Sequence, residues 1–303
     1  MPIRLIAGDS RYEMLIQDLT FAVATTCAFR YTAMRDRLLG RIGPRAAKPV
    51  AGVTDCRFRF PSGKNVLDAA FVAPSAQPVQ AGLLICHGIG EVVDHWLPAQ
   101  QLLAASGVAS LVFDYSGYGE SSGFVSSAQC EEDAVNAFHH LQGLVPSAPV
   151  SMLGFSMGSG VAAAVVGRVA PRLLVMCAAF TSFRKAAVSL GFPRALCLLA
   201  PPVWRTEETL GSCQVPVLLV HGEKDSVFPV QMTTVLHGCC DGFSELMIVP
   251  GLAHNEPFYQ PRLSYWGPII SRLTNGSDGR AGAVARDSLQ PEVGPDASAI
   301  HLS

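Results

Sequence analysis

The stretch Pro149-Val150-Ser151-Met152-Leu153-Gly154-Phe155-Ser156-Met157-Gly158-Ser159-Gly160-Val161-Ala162-Ala163-Ala164 decides the architecture. An apolar run leads into Gly154-Phe155-Ser156-Met157-Gly158, and small residues follow. That order predicts a buried strand, a tight turn and a helix, with Ser156 at the apex. The order matters because a serine hydroxyl is a poor nucleophile. It attacks only where a turn lifts it toward a base and backbone N–H groups receive the oxyanion. Gly154 and Gly158 let such a turn close without a steric clash.

The pentapeptide pattern alone is weak evidence, because Gly119-Glu120-Ser121-Ser122-Gly123 fits it too. Several loop residues separate that second match from the strand Ala109 to Asp114, and no helix of small residues follows. Context therefore selects Ser156 and assigns Ser121 to a loop.

Outward from Ser156, apolar runs recur at Leu83-Leu84-Ile85-Cys86, Leu111-Val112-Phe113, Leu173 to Cys177, Val217 to Val220 and Leu246 to Val249. Helix-compatible segments separate them: Leu97 to Ala105, Glu131 to Leu144, Gly158 to Val169, Val230 to His237 and Tyr265 to Leu273. Short apolar runs alternating with helices predict a mostly parallel sheet with helices on both faces. Before them, Arg57-Phe58-Arg59-Phe60 alternates, Pro61-Ser62-Gly63-Lys64 turns, and Val66 to Val72 returns, which reads as an N-terminal β-hairpin. Residues 1–50 read as a helical extension with a linker over Gly40 to Pro49, residues 51–274 as the main domain, and residues 275–303 as a disordered tail poor in large apolar groups. Residues 180–214 interrupt the alternation. Phe183, Leu190, Phe192, Leu196, Leu198, Leu199 and Trp204 predict a small helical cap over the sheet edge; one crossover helix with a long loop is the alternative.

Composition narrows the partners. The chain has 303 residues, 49% of them hydrophobic and 15% charged, with net charge -2. That balance suits a large buried core and gives no reason to expect nucleic acid or anionic lipid as a partner. The first apolar stretch is broken by Asp9, Arg11, Glu13 and Asp18, so neither a secretory signal nor stable membrane insertion is expected. Nine cysteines without a C-x-x-C spacing fit a reducing, cytoplasmic location, with Cys86 and Cys177 as small buried hydrophobes.

Attack by Ser156 needs a base, and the base needs an orienting acid. Asp225 follows a strand in Val220-His221-Gly222-Glu223-Lys224-Asp225, and His254 follows another in Pro250-Gly251-Leu252-Ala253-His254. Both loops open at the carboxyl edge of a parallel sheet, where Ser156 also emerges. Ile85-Cys86-His87-Gly88-Ile89-Gly90 ends a further strand in a glycine-rich turn. The expected oxyanion donors are the backbone N–H groups of Ile89 and Met157. Asp114 reads as a loop-fixing residue, and His87 and His221 as partners of their own loops. His139-His140 and His95 with Asp94 lack metal-ligand spacing, so no metal and no cofactor are expected. Glu91 and Trp96 sit just past the oxyanion turn; Trp96, Phe183 and Trp204 are the candidate substrate contacts.

With these motifs in place, the chain resembles the α/β-hydrolase superfamily, in particular its serine aminopeptidase-like serine hydrolases. The matching residues are His87-Gly88, Asp114-Tyr115-Ser116-Gly117-Tyr118-Gly119-Glu120-Ser121, Gly154 to Gly158, His221 to Asp225 and Gly251 to His254, across about residues 55–273. The resemblance implies an α/β-hydrolase fold with Ser156, Asp225 and His254 as nucleophile, orienting acid and base. Its substrate would be a small-molecule ester, thioester or amide, cleaved through an acyl-enzyme. The apolar cap favours an apolar acyl group. Acyl transfer by the same triad and a non-catalytic hydrolase-fold binding protein are the alternatives, and neither substrate nor oligomeric state is fixed by the fold.

Overall fold

A computed structural model describes residues 51–275, apart from 191–193 and 195–201. The expected N-terminal extension, the tail beyond Asn275, and Phe192, Leu196, Leu198 and Leu199 of the expected cap lie outside the described residues.

Eight strands form one sheet: β1 (Val53–Ser62), β2 (Asn65–Pro74), β3 (Ala81–Cys86), β4 (Val108–Phe113), β5 (Val150–Phe155), β6 (Leu174–Cys177), β7 (Val217–Gly222) and β8 (Ser244–Val249). Their order is β1-β2-β4-β3-β5-β6-β7-β8. β2 runs antiparallel to both β1 and β4, and every later pairing is parallel. The hairpin turns on two residues, Gly63 and Lys64, between the paired Ser62 and Asn65. Gly63 has φ 58°, the backbone region such a tight turn demands. The alternation in β1 separates two environments. Phe60 is buried and stacks on His140, whereas Arg57 bonds to Asp68 on β2.

The continuous apolar runs arise because both sheet faces are covered. Leu84 of β3 and Met152 of β5 pack with residues of the helices Ser127–Leu144 and Met157–Val169 on one face. Leu83, Ile85 and Leu153 pack on the other face with the helices Leu97–Ala105 and Leu263–Thr274. Side chains alternate across a strand, so a strand covered on both faces has no position left for water. All six residues of β3, β4, β5 and β7 are accordingly buried.

The expected elements recur with small shifts at their ends. The helix expected from Glu131 begins at Ser127, one turn earlier, because the Ser126 hydroxyl accepts the Gln129 N–H at 3.1 Å and caps it. Within 180–214 the described residues form two short helices, Phe183–Ser189 and Thr206–Gly211. Among the described residues no helix is long and apolar enough to cross a membrane.

Candidate active site

The turn after β5 places Ser156 between strand and helix with φ 52° and ψ -118°. A side chain held at positive φ is strained by of order 1–3 kcal/mol, and packing must hold it there. The packing is visible at Gly158. A Cβ on that residue would lie 1.9 Å from the Cys86 carbonyl oxygen of β3. Gly158 therefore serves close approach of the helix to β3, while the strained backbone falls on the serine itself. The Ser156 carbonyl accepts from the N–H and the hydroxyl of Ser159, at 2.9 and 2.7 Å. These bonds tie the turn to the helix.

Three residues widely separated in sequence meet here. His254 Nε2 lies 3.1 Å from Ser156 Oγ, and His254 Nδ1 lies 2.6 Å from Asp225 Oδ2. The His254 ring sits near Phe155 and Phe228, with centroids at 5.2 and 5.6 Å. Asp225 Oδ1 accepts the N–H groups of Val227 and Phe228 at 2.8 and 2.9 Å. Burial pushes the Asp225 carboxyl upward, but hydrogen bonds from His221 and His254 outweigh it and hold the group well below the usual carboxylate range. The geometry can therefore pass a proton from a serine hydroxyl to an imidazole whose far nitrogen faces a carboxylate.

The glycine turn after β3 lies against the serine. A Cβ on Gly88 would sit 3.1 Å from Ser156 Cβ, so the turn passes beside Ser156 one residue before Ile89. Met157 is the first residue of its helix, where an N–H has no carbonyl partner within the helix. Its sulfur accepts the Tyr118 hydroxyl at 3.6 Å.

Glu91 has a role that its position in the sequence does not reveal. Its Oε2 accepts the Gly88 N–H and the Trp96 indole N–H, both at 2.9 Å. The buried carboxylate thus fastens the glycine turn to the helix that follows. Trp96, expected as a substrate contact, is fully buried and stacks on Phe258 at 4.9 Å. It is a core residue beneath the site, because its large ring fills the space between β5 and the Glu256–Tyr259 turn. Trp204 is also turned into the core. It is buried, donates to Glu131 Oε1 at 3.1 Å and packs where a Cβ on Gly160 would meet it at 3.0 Å. Phe183 is half-buried and meets Trp204 edge-on at 5.6 Å.

The remaining polar residues fix loops. Asp114 Oδ1 accepts the Val93 N–H at 2.9 Å. Burial pushes the Asp114 carboxyl up to about 7 and the His87 imidazole down to about 4. His87 Nδ1 donates to the Gly88 carbonyl at 2.8 Å, so its neutral ring braces the glycine turn. Burial also raises the Cys86 thiol to about 12, which suits a space-filling hydrophobe. Among the described residues there is no group of three or more histidine, cysteine or acidic side chains able to hold a metal ion.

The strand order, the crossovers and the strained serine turn define the class: the chain has the α/β-hydrolase fold. Within it, the family described as serine aminopeptidase, S33, matches residues 77–201. The lysophosphatidylserine lipase ABHD12 of Danio rerio is 27% identical over 190 residues, which is 56% of this chain and 50% of that protein. An uncharacterised protein of Mycobacterium tuberculosis is 30% identical over 183 residues, 58% of this chain and 63% of that protein. The chain thus spans one half to under two thirds of these relatives' lengths. In fold, it is similar to the ferulic-acid-bound Est1E of Butyrivibrio proteoclasticus, with TM-score 0.59, 20% identity, and coverage of 72% of this chain and 96% of that one. A cold-adapted esterase from an Arctic intertidal metagenomic library gives TM-score 0.58 at 14% identity, covering 75% of this chain and 96% of that one.

Proposed function

We propose that this chain is a serine hydrolase that cleaves carboxylic ester, thioester or amide bonds of a small molecule through an acyl-enzyme. The observation that carries this reading is the chain Ser156 Oγ, His254, Asp225, joined at 3.1 and 2.6 Å. Ser156 Oγ attacks the substrate carbonyl while His254 Nε2 takes its proton. Asp225 accepts from His254 Nδ1, holds the ring in register and stabilises its cationic form. The backbone N–H groups of Ile89 and Met157 receive the oxyanion. His254 then gives the proton to the departing alcohol, thiol or amine. A water enters, gives a proton to His254 and attacks the acyl carbonyl. Collapse breaks the acyl–Ser156 bond, and His254 returns the proton to Ser156 Oγ as the acid leaves.

An apolar acyl group fits best. Phe183 is half-buried and Val188 and Leu190 are exposed on the insertion that follows β6, and one relative is a lipase by name. The insertion over 180–214 acts as the cap in this reading. The buried thiols of Cys86 and Cys177 support a reducing, cytoplasmic setting.

A fluorophosphonate probe tests the assignment. Wild-type protein should become labelled and Ser156→Ala should not; equal labelling of the two removes the nucleophile from the scheme. A series of p-nitrophenyl esters tests the acyl pocket, and a flat profile against chain length counts against it.

A further inference from the structure

Asp225 is shared by two histidines. On Oδ2 it meets His254 Nδ1 at 2.6 Å and His221 Nε2 at 3.2 Å. The His221 and Asp225 side chains are both fully buried. The surroundings fix where the His221 proton resides. Nε2 faces Asp225 Oδ2 and, at 3.1 Å, the Phe228 carbonyl, and both are acceptors. Nε2 must therefore carry hydrogen. Nδ1 lies 2.5 Å from Thr233 Oγ1, whose hydroxyl donates to it in the neutral ring. The other contact of that hydroxyl, to the Ala179 carbonyl, is longer at 3.4 Å.

We propose that His221 is a positioning residue: its Nε2–H, shared between the Phe228 carbonyl at 3.1 Å and the carboxylate oxygen that serves His254 at 3.2 Å, restrains the rotation of that carboxylate and lowers the basicity of the His254 imidazole. This inference rests on the triad reading above. An N–H on Oδ2 withdraws charge from the oxygen that must stabilise the His254 cation when Ser156 attacks. Oδ1 is already held by Val227 and Phe228, so both carboxylate oxygens are pinned. Thr233, on the helix Val230–Cys239, lies behind His221 and selects its tautomer. The titratable groups that face this carboxylate are His221 on β7 and His254 on the loop after β8. Glu223 is turned away and accepts the Gly251 N–H. β8 sets Ile248 opposite His221.

The test compares wild type with His221→Leu, His221→Gln and Thr233→Val. Two quantities are measured across about pH 5 to 9: the rate constant for fluorophosphonate labelling of Ser156, and the NMR titration of the His254 ring. Loss of the donor in His221→Leu frees the carboxylate to rotate away from His254, and this misplacement should outweigh the gain in basicity and slow labelling by about tenfold to a hundredfold. It should also move the acidic limb and the NMR midpoint upward by about half to one pH unit, because Asp225 then stabilises the His254 cation more strongly. His221→Gln, which can keep an N–H on the carboxylate, should recover most of both. Thr233→Val should move the midpoint in the same direction as His221→Leu, by less. A midpoint that stays at the wild-type value in the folded variants overturns the proposal, since a merely structural role would lower the rate alone. If His221→Leu does not fold, an unmoved midpoint in Thr233→Val has the same force. Equal labelling of wild type and Ser156→Ala would sink the triad reading instead, and the NMR midpoint, which needs no turnover, would still decide the role of His221.

Discussion

Two segments of this chain share one glycine-x-serine-x-glycine pattern and are built for opposite ends. At Gly154–Gly158 the positive φ falls on Ser156, and Gly158 permits contact with the β3 backbone. At Gly119–Gly123 the positive φ falls on the glycines, 46° at Gly119 and 89° at Gly123. Ser121 there donates to the Asp114 carbonyl at 2.6 Å and accepts the Asp68 N–H at 2.9 Å. Both bonding capacities of that hydroxyl are used on backbone, which staples the loop to β2. The Ser156 hydroxyl faces an imidazole instead. The same five-residue pattern thus turns a serine toward an imidazole where strain is placed on the serine, and gives a loop-fixing one where the glycines absorb it.

The sharpest break of that comparison is chemical. Ser156→Ala should lower ester turnover by roughly 10⁴ to 10⁶, whereas Ser121→Ala should leave it near wild type; comparable losses in the two, measured by steady-state hydrolysis, would erase the distinction. Next is the acid. Asp225→Asn should lower turnover by about 10³ to 10⁴ and lower stability at pH 7 by about 2 kcal/mol or more. The sign follows from a carboxyl held below its ordinary range when folded. In acid the unfolded chain binds the proton first, near pH 4, so this stabilisation is present above about pH 4 and fades as pH falls through the folded value. Urea melts at several pH values should therefore show wild type and Asp225→Asn converging in acid.

Packing gives the next effect. Gly158→Ala should cost upward of about 3 kcal/mol, since the added methyl meets the backbone of a central strand rather than a movable side chain; a melting temperature near wild type would show that the elbow helix can retreat. Ser121→Ala should cost about 1–2 kcal/mol by leaving the Asp68 N–H without its hydroxyl acceptor. The smallest effect runs the other way. Ser156→Gly should raise stability by about 1 kcal/mol while abolishing turnover, because glycine adopts this φ without strain; a destabilised variant would show that no strain is stored at the turn.

Much of this architecture is legible along the chain. The hairpin, the apolar strands β3 to β8 and the main helices follow from periodicity and turn residues, since each is a local pattern. The elbow and the loops after β7 and β8 were legible for the same reason: they stand where strand runs end. Trp96 and Trp204 were less so. Each lies beside a turn near the site, and nothing local distinguishes a ring facing a pocket from one buried against Phe258 or Glu131. The carboxylate of Glu91 is similar, because its partners Gly88 and Trp96 are set by how the turn folds back on itself.

By itself the sequence determined the order of strands and helices along the chain, and which residues stand at the strand ends. These depend on hydrophobic period and backbone freedom within a few residues. Only the tertiary structure decided that Ser156 and His254, 98 positions apart, meet at 3.1 Å, and that His221 and His254 converge on one oxygen of Asp225. Those meetings follow from strand pairing across the sheet. Register between distant strands is fixed by the burial of both faces at once, a property of the assembled core that no local segment carries.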